Sequence, residues 1–585
     1  MAVHTSQRYE PSGKFLRFNL ILIYSEQNIL YRSRLQILIG GMKKRHILTA
    51  IAGICLMCGC SDMMDTNPTI EVDKNIILKD ATSMEVAMNG VYSTMYNRID
   101  FVTANAHQCF GNMAVVTAAE LMGEDMVHTA QGPGWFWNDY TYGVRQRYTS
   151  KIQRCYFVWK YFYEIINNTN YIISAHDTAE GDKNQIDCII AQAKAARAYS
   201  YFMLIQLYQQ TYKGNENLPG VPVYTEPTTS ASKGKGRGTV EEVYTQINTD
   251  LNSALSLFES CGIAQKHVSN LDYYSTALLK ARVALVQNDW DDAAYYAEEA
   301  TKKPGKSVMG MTEATVVKGT FVDATKEWTT GKTPFNSAFS SSVLWGVEQL
   351  SDQSNVYASF YSMMDACTDK YYAAESPKCI SNWLYSQIPE TDIRKGWWNG
   401  NIEVPADKWK FGANINYNQH KFQWADQKSN TGDLIFMRME EAYLIMAEAK
   451  CRMDDYDGAI EALNAVISNR DSQYKKRTKG LTGSTQTFGS VGTITTLLDE
   501  ILVQRRIELW GEVGRIFDIQ RQKKGWTRYW EIDGLKSNHS NYLNKYSEYL
   551  NFPADYIECI LMIPQAEIDI NPNINAEDQN PYIQN

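Results

Sequence analysis

The chain has 585 residues and a formal charge of −9, with 57 Lys and Arg against 66 Asp and Glu. The first 59 residues hold eight basic and two acidic side chains, so the remaining 526 sit at −15. An acidic balance of that size excludes binding of nucleic acid or anionic lipid through bulk charge. The length suffices for two to four units of about 150 residues, each able to bury a core.

In residues 1–41 the patch "FNLILIY" lies between the charges Arg17 and Glu26 and no cleavage site follows, so this segment is read as an upstream start-site artefact. From Met42 the order is Lys43, Lys44, Arg45, His46, an apolar run from Ile47 to Cys58, then the small Gly59 before Cys60. That is the charged start, short apolar stretch and small-residue cleavage site of a secretory leader. The run is shorter than the about 20 residues a membrane span needs. Residues 42–59 resemble a bacterial lipoprotein signal, in which the Cys60 thiol is acylated and becomes the new N-terminus.

Beyond the leader and Cys60, the cysteines Cys109, Cys155, Cys188, Cys261, Cys367, Cys379, Cys451 and Cys559 show no Cys-x-x-Cys pair and no paired histidines. Structural zinc is not expected, and no metal or cofactor is implied. Aromatic residues make up 12% of the chain, with 37 Tyr and 14 Trp, more than a core of this size requires. Some aromatic surface is therefore expected to serve binding.

In "CIIAQAKAARAYSYFMLIQLY" the residues Ile189, Ala193, Ala196, Met203 and Leu207 fall on one helical face. A helix start follows at "TVEEVYTQINTDLNSALSLF", where Thr239 and Glu242 have capping-box spacing. The preceding "SKGKGRG" reads as a surface loop. An internal repeat then appears at a shift of 166 residues, pairing Ala281 with Ala447, Trp290 with Tyr456 and Ala293 with Ala459. Each unit is helix, Asp-rich turn, helix, with alanines where two helices approach closely. This is the pattern of a tetratricopeptide-like hairpin, which needs neighbours to bury its apolar face. Residues 305–432 lose this periodicity and read as an inserted irregular subdomain between helical regions at 60–304 and 433–585.

"QRRIELWGEVGRIFDIQR" carries Arg505, Arg506, Glu508, Glu512, Arg515, Asp518 and Arg521 in the register of the C-terminal signature of SusD/RagB-family proteins, with Gln504 for the usual Glu and Val513 for the usual Gly. "AMNGVYSTMY", the Arg197–Tyr208 helix, Pro219 and Pro222, and the ending Gln579-Asn580-Pro581-Tyr582 extend the likeness over nearly the whole mature chain. The chain thus resembles a SusD/RagB-family lipoprotein of the Bacteroidetes outer membrane. The resemblance implies a mostly α fold of four tetratricopeptide-like hairpins with a loop-rich insertion. It also implies a surface-exposed lipid anchor at Cys60 directed by Asp62 and Asp65, a bound oligo- or polysaccharide, and a SusC-like TonB-dependent transporter as partner.

Glycan binders stack aromatic rings on sugar C–H faces within a hydrogen-bonding rim. In "QGPGWFWNDYTYG" the Gly132-Pro133-Gly134 run breaks any helix, which points to Trp135, Trp137, Asn138, Tyr140 and Tyr142 as loop residues of the glycan site. The resemblance draws further aromatics from the irregular region: Tyr357, Tyr361, Tyr371, Tyr372 and Trp383, ahead of Asp392-Ile393-Arg394. Trp397, Trp398, Trp409 and Trp424 are weaker candidates. No Gly-x-Ser-x-Gly, His-Glu-x-x-His or phosphate-binding loop occurs, and no enzyme activity is expected. The carboxylates of the C-terminal signature sit at i,i+3 and i,i+4 spacing and read as ion pairs along one helix, and His128 is a lone histidine. A peptide-capturing or scaffold subunit of the same transporter class is the alternative: a flat exposed ring arc favours sugar, a deep groove favours peptide.

Overall fold

The computed structural model describes residues 78–98, 106–130, 132, 134–142, 149–319, 321–322, 327–329, 331–366, 372–402, 415–543 and 551–581, all within the unit Asp73–Asn585. The leader, Cys60, Pro133, Cys367, Tyr371, Trp409 and Tyr582 lie outside the described residues.

The longer helices are α1 (Ala81–Thr94), α2 (Asn112–Met122), α3 (Gln153–Ser174), α4 (Lys183–Tyr208), α5 (Val240–Cys261), α6 (Tyr273–Gln287), α7 (Trp290–Thr301), α8 (Met439–Arg452), α9 (Tyr456–Ile467), α10 (Leu497–Glu508) and α11 (Arg515–Gln522). Four short strands, β1 (Met126–His128), β2 (Val343–Val347), β3 (Lys378–Ile380) and β4 (Leu434–Arg438), pair antiparallel as β1 with β3 and β2 with β4. The protein is mostly helical, as the sequence predicts.

The caps follow the sequence. The Thr239 side chain accepts the Glu242 amide at 3.1 Å and Glu242 returns the bond to the Thr239 amide at 2.7 Å, which starts α5. The helix α4 differs from the one-face expectation: from Ala195 to Tyr208 every residue is buried. The reason is its central place, packed by α3 on one side and α5 on the other, with Arg197 gripping Asp250 of α5 through two bonds of 2.6 and 2.8 Å.

The internal repeat extends to backbone geometry. The turns between α6 and α7 and between α8 and α9 place Asn288 and Asp454 at φ of 59° and 61°. The next residues, Asp289 and Asp455, cap the following helices through the amides of Asp292 and Gly458. Ala281, Ala293, Ala447 and Ala459 are all fully buried at the helix crossings. The two hairpins stack through α7 on α8, where the Arg452 guanidinium lies 5.1 Å above the Trp290 ring.

The C-terminal signature is not one helix with local ion pairs. α10 ends at Glu508, the chain turns through Gly514 at φ 82°, and α11 starts at Arg515. The positive φ falls on Gly514, so Val513 does not deprive the turn of its glycine. Most of the charges reach distant segments. Glu508 meets Arg394, Arg438 and Arg470 at 3.3, 2.9 and 2.9 Å, all fully buried. Glu512 binds Arg438 and Lys421, and only Asp518–Arg521, at 2.7 Å, keeps helix spacing. The three guanidiniums hold the Glu508 carboxyl well below its ordinary range despite burial.

Arg506 and Arg515 clamp Asp125 and Glu124 at 2.6 and 2.8 Å, and Trp510 donates its indole N–H to the Asp125 carbonyl at 3.0 Å. Glu124 and Asp125 immediately precede β1, so the signature fixes the base from which the Trp135 segment departs.

Candidate functional site

Four rings from four separate segments meet at the protein surface. His107 belongs to the short 3-10 turn Ala106–Gln108, Trp135 follows Gly134, Tyr357 precedes a short helix, and Tyr372 opens the helical turn Tyr372–Glu375. The His107 ring lies 5.1 Å from Trp135, 5.6 Å from Tyr372 and 6.0 Å from Tyr357, stacked on the last within 10° of parallel. Trp135 meets Tyr372 edge-on at 5.7 Å, and Tyr357 and Tyr372 are 5.9 Å apart. Tyr357 is 53% exposed, while the other three rings are half-buried. His107 and Tyr357 lie nearly parallel while Trp135 and Tyr372 are inclined to them, so the four do not form one coplanar arc, and Tyr357 is the most open.

The position of Trp135 is set by its neighbours. Gly134 adopts φ 89°, a conformation that side chains other than glycine rarely take. The Trp135 carbonyl accepts from His128 Nε2 at 3.1 Å, and the Phe136 amide donates to Gln108 Oε1 at 2.8 Å. Arg154 of α3 reaches both sides of this junction, binding Asp139 at 3.0 Å and the Gln108 carbonyl at 3.4 Å. His128 is fully buried, and burial followed by the nearby Lys378 ammonium keeps it neutral, far below its usual pKa. Lys378 faces His128 across the β1–β3 pair, donates to the Ser376 carbonyl at 2.8 Å, and is pushed by burial down to about 7. The lone histidine is therefore a structural support of the loop. Burial also lowers the pKa of His107, with Arg98 adding to the effect, and its Nδ1 lies 2.5 Å from the Tyr372 hydroxyl. The ring cluster is thus largely uncharged near neutral pH.

The other candidates are placed differently. Residues 137–141 form a helical turn, and Trp137, Tyr140 and Tyr142 turn inward and are buried. Tyr140 stacks on His539 and shares a 2.9 Å hydrogen bond with its Nδ1; Tyr142 donates to the Met122 carbonyl at 2.7 Å. The glycine break ends at Gly134, and beyond it the rings fill the gap beneath α2, where Arg528 lies over Tyr140 and Tyr142. These three rings offer no face for stacking a ligand. Asn138 is half-buried and its Oδ1 is enclosed without a partner among the described residues.

Tyr361 is buried and donates to the carbonyls of Phe335 and Asp433. Trp383 is buried beneath Arg506, whose guanidinium lies 4.9 Å from the ring. Trp397, Trp398 and Trp424 are fully buried. Each serves the core of the irregular region, which among the described residues has no long helix to fill it. Of the ten residues predicted to contact ligand, the structure gathers Trp135, Tyr357 and Tyr372. It adds His107, which a lone histidine outside any motif could not reveal. Among the described residues no group of three or more His, Cys, Asp or Glu could hold a metal ion.

Two family models match the chain: the SusD family over residues 357–582, and a family described as starch-binding, associating with outer membrane, over residues 72–277. The chain belongs to the SusD family. A SusD-like carbohydrate binding protein from Bacteroides vulgatus ATCC 8482 has the same fold, with TM-score 0.65 and 22% identity, covering 86% of this chain and 99% of that one. A laminarin binding SusD-like protein aligns with TM-score 0.55 and 18% identity over 86% and 99% of the two chains. SusD-like protein P2 of Formosa agariphila is 24% identical over 169 residues, 28% of this SusD-family chain, and the match spans 30% of that relative's length. His107 and Trp135 fall in one matched range of this SusD-family chain, Tyr357 and Tyr372 in the other.

Proposed function

We propose that this SusD-family protein is a non-catalytic, cell-surface glycan-binding lipoprotein, held in the outer membrane through Cys60, that captures oligo- or polysaccharide and delivers it to a SusC-like TonB-dependent transporter. The observation that carries the reading is the cluster of His107, Trp135, Tyr357 and Tyr372, whose rings project from a rigid scaffold and carry little charge. Sugar C–H faces stack on such rings, and a neutral cluster suits a neutral glycan. The laminarin binding relative shares the fold, and a starch-binding, outer-membrane-associating family matches the N-terminal half.

The test is calorimetry of the protein against laminarin, starch, xylan, mannan and host glycans, with Trp135→Ala and Tyr357→Ala alongside. Binding to one glycan class, weakened about 30-fold by Trp135→Ala, as for a central aromatic hot spot, supports the reading. Absence of binding across the panel by the folded protein, with capture of peptides instead, overturns it in favour of a peptide-binding subunit.

A further inference from the structure

A second aromatic feature lies on other elements. A cleft of about 650 Å³ opens between α3, the segment 224–234 and the short helix Gln565–Ile570, within the about 300–1,000 Å³ typical of small-ligand sites. It shares none of its lining with the His107 cluster. Tyr163 and Tyr224, both half-buried, stand edge-on along its wall with ring centroids 5.9 Å apart, and the buried Trp159 backs Tyr163 at 4.9 Å.

The polar ends of these rings are tied into the protein. Tyr163 donates to the Pro222 carbonyl at 2.8 Å, Tyr224 accepts the Lys235 amide at 2.9 Å, and Trp159 donates to Glu567 Oε2 at 3.3 Å. The rings are therefore fixed before any ligand arrives, and what they can offer a ligand is C–H and π surface, with little ordering cost on binding. Around them the rim is hydrophilic: Glu164 stands on the exposed side of α3, and Ser232 and Lys233 on the exposed loop opposite. Fixed rings inside a hydroxyl- and carboxylate-bearing rim match the two faces of a pyranose, apolar in the plane and hydroxylated at the edge. The feature is a concave cleft rather than a broad face, whereas stable protein docking needs about 800 Å² per partner.

We propose that this cleft is a second saccharide-binding site, which takes a short stretch of a glycan chain against Tyr163 and Tyr224, with the buried Trp159 behind them as the reporter of occupancy. The ligand class rests on the reading of the His107 cluster; the location rests on the cleft alone.

The test is fluorine NMR of the intact protein labelled with 5-fluorotryptophan, titrated with laminarihexaose, maltohexaose and xylohexaose, with the Trp135 and Trp159 signals assigned from Trp135→Phe and Trp159→Phe. The expected result is that one hexasaccharide shifts both signals. Ser232→Phe, which fills the cleft from an exposed loop position, then abolishes the Trp159 shift and leaves that of Trp135, while Tyr357→Ala does the reverse. A Trp135 shift with Trp159 unmoved overturns the second site and leaves the first standing. A Trp159 shift without Trp135 upholds the cleft and removes the first site. A Trp159 shift that survives Ser232→Phe and disappears in Tyr357→Ala is relayed from the first site and overturns the proposal, as does a Trp159 shift produced only by detergent-solubilised transporter.

Discussion

Gln108 Oε1 accepts the backbone N–H of Phe136 at 2.8 Å, across 28 residues of sequence, and this bond sets the direction in which Trp135 leaves the fold. Gln108 is buried beside His107, so one turn supplies both a ring of the cluster and the support of its neighbour. Gln108→Leu keeps the volume but leaves the Phe136 amide without its acceptor. Such a loss costs about 1–3 kcal/mol. The expected outcome is a urea midpoint lowered accordingly and glycan affinity weakened about tenfold, whereas Tyr357→Ala weakens affinity with an unchanged midpoint because that ring is exposed. Paired calorimetry and urea titration of the two variants check this.

Glu508 is expected to be the costliest single charge to remove. Its carboxylate is shared by Arg394, Arg438 and Arg470, all at or near zero exposure. Breaking a buried ion group by deleting one partner costs about 3–5 kcal/mol, since the remaining charges stay buried. Glu508→Gln should lower stability by that amount, and Glu390→Gln, which removes a solvated carboxylate 3.3 Å from Lys395, whose ammonium also donates to the Tyr385 and Ile388 carbonyls, by less than about 1 kcal/mol. Urea denaturation of both variants reads the difference, and equal effects would contradict the assignment of Glu508 as the centre of the network.

The proposed anchor at Cys60 makes a direct prediction about localisation. In the proposed lipoprotein the acyl chains hold the protein to the membrane; among the described residues no helix is long and apolar enough to cross one. Cys60→Ala should abolish incorporation of labelled palmitate and release the protein from the membrane fraction. Palmitate labelling that survives the substitution would place the anchor elsewhere.

What could be read from the sequence divides along a physical line. The 166-residue repeat was legible down to its turns because alanine crossings and Asp caps are local requirements, and Asn288 and Asp454 have equivalent left-handed turns. The C-terminal signature was legible as a motif but not as geometry: spacing suggested ion pairs along one helix, while the break at Gly514 sends Arg506 and Arg515 to Asp125 and Glu124. The site was half legible. Gly134 marked where the Trp135 segment turns, but whether a ring beyond it faces inward depends on distant residues such as Arg528 and His539, which take Tyr140 into the core. No sequence period links His107, Trp135, Tyr357 and Tyr372, which meet only through tertiary structure.

The buried histidines give the protein an acid-side instability with a definite sign. His128, His420 and His539 are held neutral by burial; the nearby Lys378, Lys318 and Arg528 charges, respectively, add to the effect, and the latter two histidines fall to about 3. Between those values and the ordinary 6.5, the unfolded chain binds protons that the folded chain refuses, so stability falls as pH falls through 6.5. Glu120 opposes this, since burial raises its pKa to about 8 and the folded chain keeps its proton above 4.5. Three histidine protons outweigh one carboxyl, so stability falls with pH between 6.5 and 4.5, by up to about 2 kcal/mol per pH unit near pH 5.5 and by less toward pH 6.5. The carboxylates held low by arginine, Glu508 and Asp518, add their loss only as the pH falls below their ordinary values. Urea unfolding at half-unit steps from pH 5 to 6.5 should show this slope. His539→Gln should reduce it by up to about 1.4 kcal/mol per pH unit, because one of the three titrating groups is gone. A flat profile would mean that these histidines find water or a counter-charge on protonation and that the segment joining Tyr140, His539 and Glu124 opens without global unfolding.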